Sequence, residues 1–299
     1  MQNNADLIKL IQYNFTKFSK SQKMIADYIL DNYDKAAFMT AAKLGTTVGV
    51  SESTVVRFAN TLGYTGYREL QSDLQALIKN KLTTVQRISL TDEYSNKENL
   101  LKRVFKKDVS NISKTFEELD YNVFGQAVEA ILNGKRVYIL GLRSSSFLAG
   151  YLGFYLNFIL SNVKTVTAGP SDIFEQLLKV TSEDVVIGIS YPRYSTRTLE
   201  ALKYVKEKGS TVIGITDSLL SPAAQISDIT LLASSNMVSF VDSLVAPMSL
   251  INALIIGVGM EKREDITSYF EDLEGIWKKY SVYNNVNSKE ILNTKKTKK

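Results

Sequence analysis

Two short stretches hold the residues with the clearest chemistry. One reads Gly141-Leu142-Arg143-Ser144-Ser145-Ser146, the other Ser190-Tyr191-Pro192-Arg193-Tyr194-Ser195-Thr196-Arg197-Thr198. Each follows an apolar, β-branched run and opens a helical stretch. Such a turn offers hydroxyls, free backbone N–H groups and the positive end of a helix, which together suit a phosphate or carboxylate. Each turn also carries an arginine, whose planar guanidinium can bind two oxygens at once. Serine and threonine at helix starts also act as plain caps. Two hydroxyl-rich turns, both with arginine, favour an anion site made of Arg143, Ser144, Ser145, Ser190, Arg193, Ser195 and Thr198.

The elements that must position these turns can be read from residue 135 onward. Candidate strands are Arg136–Leu142, Val163–Ala168, Asp184–Ser190, Thr211–Asp217 and Asp228–Ser234. Helical segments follow each: Ser145–Leu160, Ser171–Val180, Thr196–Lys208, Pro222–Ile226 and Phe240–Met260. Strands that run apolar throughout, with helices between them, predict a parallel sheet covered on both faces. Right-handed crossovers then give a doubly wound, three-layer α/β fold of five strands. In that fold ligands bind beyond the carboxyl ends of the strands, where both turns lie. Thr216-Asp217-Ser218 ends the fourth strand and is either turn chemistry or part of the same cleft. Ser239, Asp242 and Ser243 start the last helix and either cap it or touch a ligand. Pro247 predicts a kink in that helix. Tyr151, Phe154, Tyr155 and Phe158 form an aromatic stripe suited to core or dimer packing.

The first 75 or so residues are helical in pattern. Met24, Ile25, Tyr28 and Ile29 recur at helical spacing. Thr40 precedes a short run, Ala41-Ala42-Lys43-Leu44, that Gly49 breaks. Ser51 then starts a helix with Val55, Phe58 and Leu62 on one face, and Gly63 stops it. Gly49 supplies the positive φ that a sharp turn between helices needs. Ser51, Ser53, Thr54, Arg57 and Asn60 are left at or near the outer face. A helix presented this way can enter a major groove. A helical hairpin that only packs, or binds protein, has the same geometry.

Composition narrows the classes further. The chain has no cysteine and no histidine. Disulfides, cysteine-ligated metals and thiolate nucleophiles are excluded, and so is the commonest general base at neutral pH. No catalytic residue, cofactor or metal site is expected. Residues 1–90 hold 11 Lys/Arg against 7 Asp/Glu, and residues 285–299 hold 5 Lys against 1 Glu. A basic head on a mildly acidic body fits nucleic-acid binding at one end. There is no run of about 18 apolar residues and no secretory leader pattern, so a cytoplasmic protein without a membrane span is expected. The expected organisation is a DNA-binding unit over 1–78, a linker and connecting helix over 79–118, a ligand-binding domain over 119–284 and a disordered basic tail over 285–299. In the connecting helix Leu100, Leu101, Val104, Phe105, Val109 and Ile112 form one stripe.

Two resemblances sharpen this reading. Ser21-Gln22-Lys23-Met24-Ile25-Ala26, Val50-Ser51-Glu52-Ser53-Thr54-Val55-Val56-Arg57-Phe58 and Leu62-Gly63-Tyr64-Thr65-Gly66-Tyr67-Arg68-Glu69-Leu70 resemble the N-terminal domain of RpiR/MurR-family transcriptional regulators over about residues 5–78. Asn60 and Thr61 stand where family members often carry basic residues. The second half resembles the sugar isomerase (SIS) domain over roughly residues 120–265. Its first loop pattern, Gly-x-Gly-x-Ser followed by alanine, is met by Gly141, Ser145 and Ala149, with Arg143 at the second glycine. Its second, Ser-x-Ser-Gly-x-Thr-x-x-Thr, is met by Ser190, Ser195 and Thr198, with Pro192 and Arg193 replacing Ser-Gly. The resemblance implies a phosphate on Ser190, Ser195, Thr198 and the backbone, with Ser144 and Ser145 on the sugar side. It implies a DNA-binding regulator that senses an anionic metabolite, a phosphosugar, and works as a homodimer or homotetramer. The alternative is a phosphosugar isomerase fused to a helical domain. Isomerisation needs a base, and the expected last helix offers Asp242 and no glutamate before Glu261.

Overall fold

A computed structural model describes residues 6–78, 84–89, 97–169 and 171–283. The basic tail and parts of the expected linker lie outside those residues. The chain starts with α1 (Asp6–Asn14), α2 (Lys20–Asp31), α3 (Tyr33–Ala36), α4 (Ala41–Val48), α5 (Glu52–Thr61) and α6 (Tyr67–Ile78). Local chemistry sets their ends. Ser19 and Gln22 form a reciprocal capping box on α2, Thr40 caps α4, and the Ser51 side chain accepts from the Thr54 N–H to cap α5. Gly49 ends α4 in the left-handed region at φ 82°. A Cβ on Gly45 would lie 2.7 Å from the Val50 carbonyl, so α4 and α5 can approach this closely only with glycine there. Ile25, Ile29, Leu44, Val55, Phe58 and Leu70 are fully buried in the core these helices share.

Next come α7 (Thr84–Ser89), α8 (Lys97–Glu117) and α9 (Tyr121–Asn133). The sheet then alternates with helices: β1 (Val137–Gly141), α10 (Ser145–Ile159), β2 (Val163–Val166), α11 (Ile173–Leu177), β3 (Val185–Ile189), α12 (Thr196–Glu207), β4 (Thr211–Thr216), α13 (Pro222–Ile226) and β5 (Ile229–Leu232), followed by α14 (Val245–Glu261) and α15 (Arg263–Lys279). All strand pairs are parallel, in the order β2-β1-β3-β4-β5. Alternate residues of one strand serve opposite layers. Val137 and Ile139 of β1 pack toward α9, α10 and α14, whereas Tyr138 and Leu140 pack toward α11, α12 and α13. This is the expected doubly wound, three-layer architecture.

Three details depart from expectation. The polar stretch after residue 79 contains a helix, α7. The last sheet helix begins at Val245 rather than Phe240. Pro247 therefore lies in the first turn, where its missing N–H has no intrahelical partner to lose. Helices α9 and α15 are not among the expected elements. Helix α8 matches the expected connecting helix. It packs by a polar edge: buried Asn111 donates to the Asn236 carbonyl (2.9 Å) and accepts from Ser234 (3.1 Å), and Thr115 accepts from the Ser234 N–H (2.8 Å). Its apolar stripe faces outward, with Leu101, Phe105 and Val109 each at least 60% exposed. Among the described residues no single helix is long and apolar enough to cross a membrane.

Candidate anion site and nucleic-acid face

Strand β1 lies between β2 and β3, so the winding direction reverses between β1 and β3. In doubly wound sheets the crevice at this switch point, beyond the carboxyl ends of the strands, holds the ligand. Both hydroxyl-rich turns fall there. A cavity of about 180 Å³ is lined by all seven expected residues: Arg143, Ser144, Ser145, Ser190, Arg193, Ser195 and Thr198.

The hydroxyls do not all behave as caps. Ser195 caps α12 by accepting from the Thr198 N–H. Ser144 is helical and makes no capping bond. Ser145, Ser190 and Thr198 are buried, with 6%, 3% and 1% exposure. Among the described residues their hydroxyls have no hydrogen-bond partner. The residues are buried but their hydroxyl oxygens are not enclosed, so all three open onto the cavity, where they can bond a polar guest. The Gly141 backbone lets the β1–α10 turn close on itself, because a Cβ there would lie 2.5 Å from the Ser145 carbonyl.

Both arginines sit in the left-handed backbone region, Arg143 at φ 55° and Arg193 at φ 65°. That conformation favours glycine, and it explains why the resembling motifs carry glycine at both places. A non-glycine residue held there costs on the order of 1–3 kcal/mol, and such strain gathers at ligand sites. Among the described residues the guanidinium of Arg143 forms no hydrogen bond or ion pair. Arg193 donates to the Thr84 hydroxyl at 2.6 Å.

Arg87, Tyr191, Phe240 and Asp242 also line the cavity. Arg87, on α7, is 1% exposed and pairs with Asp242 at 3.0 Å. No periodicity in the polar stretch signals this arginine, because α7 is only six residues long. Asp242 joins the cavity from a non-helical segment, not from a helix start. Burial, and secondarily the charge of Asp217, holds the Tyr191 phenol well above its usual titration range, so it stays protonated. The other candidates lie elsewhere. Asp217 accepts from Tyr194 (2.8 Å), Ser218 accepts from the Leu220 N–H (3.1 Å), and Ser243 donates to Asp108 (2.6 Å). In the aromatic stripe, Tyr151 packs at a tilt on Tyr155, Phe154 meets Tyr155 and Phe158 edge to face, and Phe158 meets Tyr269 and Phe270 of α15. Among the described residues no cluster of three or more His, Cys, Asp or Glu could hold a metal.

The other site is the outer face of α5. Ser51, Ser53, Arg57 and Asn60 are exposed and Thr54 is half-buried. The Ser51 hydroxyl lies 2.9 Å from that of Ser53 and 2.8 Å from that of Thr54, and Arg57 donates to Thr54 at 3.3 Å. Ser19, Ser21 and Gln22 at the start of α2 share an open groove with Thr54, Arg57, Asn60 and Thr61. Gln22 donates to Thr61 at 2.9 Å, which ties the two helices together along that groove. The α2 residues were absent from the sequence expectation because their cap role hides their position beside α5.

Known proteins match both halves. The helix-turn-helix domain of the rpiR family matches residues 5–81, and the SIS domain matches residues 130–257. An uncharacterized HTH-type transcriptional regulator of Caldanaerobacter subterraneus is 26% identical over 280 residues, 90% of this chain and 95% of its own. The HTH-type transcriptional regulator HexR of Pseudomonas aeruginosa is 24% identical, over 90% of this chain and 94% of its own. Among solved structures, the sugar isomerase domain of an RpiR transcription factor from Sphaerobacter thermophilus aligns with TM-score 0.56 and 28% identity, over 58% of this chain and 98% of that one. The Vibrio vulnificus NanR protein, complexed with ManNAc-6P, aligns with TM-score 0.56 and 19% identity, over 93% of this chain and 100% of that one. A helix-turn-helix unit followed by a SIS domain defines a class of DNA-binding transcriptional regulators. Within that class, the helix-turn-helix unit of this chain is of the rpiR-family type.

Proposed function

We propose that this regulator senses a phosphosugar in the cavity between the β1 and β3 turns and transmits its binding to the DNA-reading helix α5. The observation that carries the reading is the convergence of the Ser145, Ser190 and Thr198 hydroxyls, with Arg143 and Arg193, on one cavity at the switch point of the sheet. Ser190, Ser195, Thr198 and Arg193 would hold the phosphate, and Arg143, Ser144 and Ser145 the rest of the anion. The ManNAc-6P complex of the NanR protein, which shares the fold over most of this chain, supports a sugar phosphate as the guest. Residues 1–78 serve as the DNA-binding unit, with Ser51, Ser53, Thr54, Arg57 and Asn60 facing phosphates and base edges. Residues 119–284 serve as the sensor.

Sensing rather than catalysis is the role the cavity supports. Among its described lining residues only Asp242 is a carboxylate, and it is paired with Arg87. A free base to move a proton between sugar carbons is not part of that lining. The protein acts in the cytoplasm as a homodimer. Readers of this kind address two half-sites one helical turn apart, about 34 Å. The outward stripe of α8, with Leu101, Phe105 and Val109, is the apolar surface that a second copy would cover. The test is fluorescence anisotropy of the full chain on DNA from its own promoter, while ManNAc-6P and a panel of hexose and pentose phosphates are titrated. At least one compound should shift DNA affinity, and Ser190→Ala should abolish the shift. DNA binding that no compound alters, in parent and variant alike, overturns the reading.

A further inference from the structure

The geometry points to Arg87 as an effector-binding residue supplied by the segment between the two folded units rather than by the sensor domain itself. This inference rests on the anion-sensing reading above and assigns one more contact to that site. Arg87 reaches the cavity from α7, outside the sheet and its covering helices. Its side chain is 2% exposed, although arginine is almost never fully buried unless paired. Its partner, Asp242, also lines the cavity, at 3.0 Å.

Charge gives the reason for a third arginine. Among the described lining residues, Arg87, Arg143 and Arg193 bring three positive charges and Asp242 one negative charge. The balance, +2, matches a phosphate monoester, which carries about −1.5 to −2 at pH 7. Without Arg87 the lining would offer only +1. A dianion would then enter a confined cavity beside the Asp242 carboxylate with half of its charge unanswered. The Arg87–Asp242 pair thus holds the guanidinium in place beforehand, so that an incoming phosphate meets a preset donor.

The same helix has a second hold on the site. Thr84 and Arg87 are three residues apart, hence on one face of α7, and the Thr84 hydroxyl accepts from Arg193 at 2.6 Å. Five residues separate α7 from α6, the last helix of the DNA-binding unit. An effector held by Arg87 therefore fastens α7 to the sensor, and with it the point where the DNA-binding unit is tethered. By linkage, the same contact makes effector affinity depend on where α7 sits.

The experiment uses the full chain with inorganic phosphate and ManNAc-6P as probes, binding being read by 31P NMR titration and calorimetry. Arg87→Ala should weaken both probes roughly tenfold or more, the scale of a lost hydrogen bond to a charged group. Asp242→Asn keeps an amide oxygen that accepts from Arg87 and so preserves its placement, but leaves the lining more positive, so it should bind both probes at least as tightly as the parent. A purely structural role for the pair would make the two variants fail together. Thermal melts confirm that each variant folds, and Arg87→Lys, which keeps the charge, should recover part of the affinity. Hydrogen exchange at the α7 amides should slow when probe is added to the parent. Parent-like affinity in Arg87→Ala, equal loss in both variants, or faster α7 exchange with probe overturns the assignment while the sensing reading stands. A parent that binds neither probe overturns both.

Discussion

Replacing Arg143 by glycine separates what its backbone costs from what its side chain does. Arg143 sits at φ 55° in the β1–α10 turn. A residue with a Cβ loses roughly 1–2 kcal/mol in that region. Glycine adopts it freely, but its extra freedom in the unfolded chain takes back about 0.5–1 kcal/mol. The Arg143 side chain has no hydrogen-bond or ion-pair partner among the described residues, so no polar contact is lost. Arg143→Gly should therefore stabilise the empty protein by roughly 0.5–1 kcal/mol, raising Tm by about 1–4 °C for a domain of this size. Affinity should move the opposite way. A hydrogen bond to a charged group contributes roughly 1.5–3 kcal/mol, and because Arg143 is exposed to screening solvent the lower end applies. That is a loss of about tenfold in Kd for ManNAc-6P. Calorimetric melting without ligand and titration calorimetry with it give the two numbers. A variant that melts lower than the parent and binds the sugar phosphate equally well would refute the claim that this arginine is kept for the ligand against its backbone preference.

Other perturbations follow from the same structure. Arg57→Ala should weaken promoter binding and lower the slope of log affinity against log salt by about 0.9, one phosphate contact, in a mobility-shift series. Gly141→Ala places a Cβ 2.5 Å from the Ser145 carbonyl and 2.8 Å from the Ala149 Cβ; overpacking of this kind costs roughly 1–3 kcal/mol, visible as a lower urea midpoint. Burial raises the Asp184 carboxyl, but bonds from Arg136 (2.7 and 2.9 Å) and Thr181 outweigh it and leave the group below its ordinary 3.8. A carboxyl depressed in the folded state adds stability that is present above 3.8 and fades as pH falls through the folded value. Asp184→Asn should thus lower Tm at pH 7 and flatten its decline in acid. Phe105→Glu on the exposed stripe of α8 should shift sedimentation toward the monomer.

The fold was legible because each of its layers writes a strong pattern. Strands buried on both faces, such as Val185–Ile189, read as uninterrupted apolar runs, and Thr40 and Ser51 mark helix starts by their own hydrogen bonds. The two turns of the cavity were legible for the same reason, since each lies where a buried strand gives way to a helix. What stayed hidden depends on contacts distant in sequence. Arg87 and Asp242 are 155 residues apart and neither belongs to a periodic pattern. Asn111 and Thr115 fasten α8 through carbonyl, hydroxyl and amide partners more than 110 residues away, contacts that the apolar stripe next to them does not reveal. Positive φ at Arg143 and Arg193 was hidden because arginine, unlike glycine, does not announce it.

The most direct measurement is a crystal structure of the full chain soaked or co-crystallised with ManNAc-6P, the phosphorus being located in the density. The phosphate should lie among Ser190, Ser195 and Thr198 at the amino end of α12, with the Arg87, Arg143 and Arg193 guanidiniums directed at the bound anion. Phosphate density at any other place on the chain, with this cavity still lined by unengaged serines, would contradict the account.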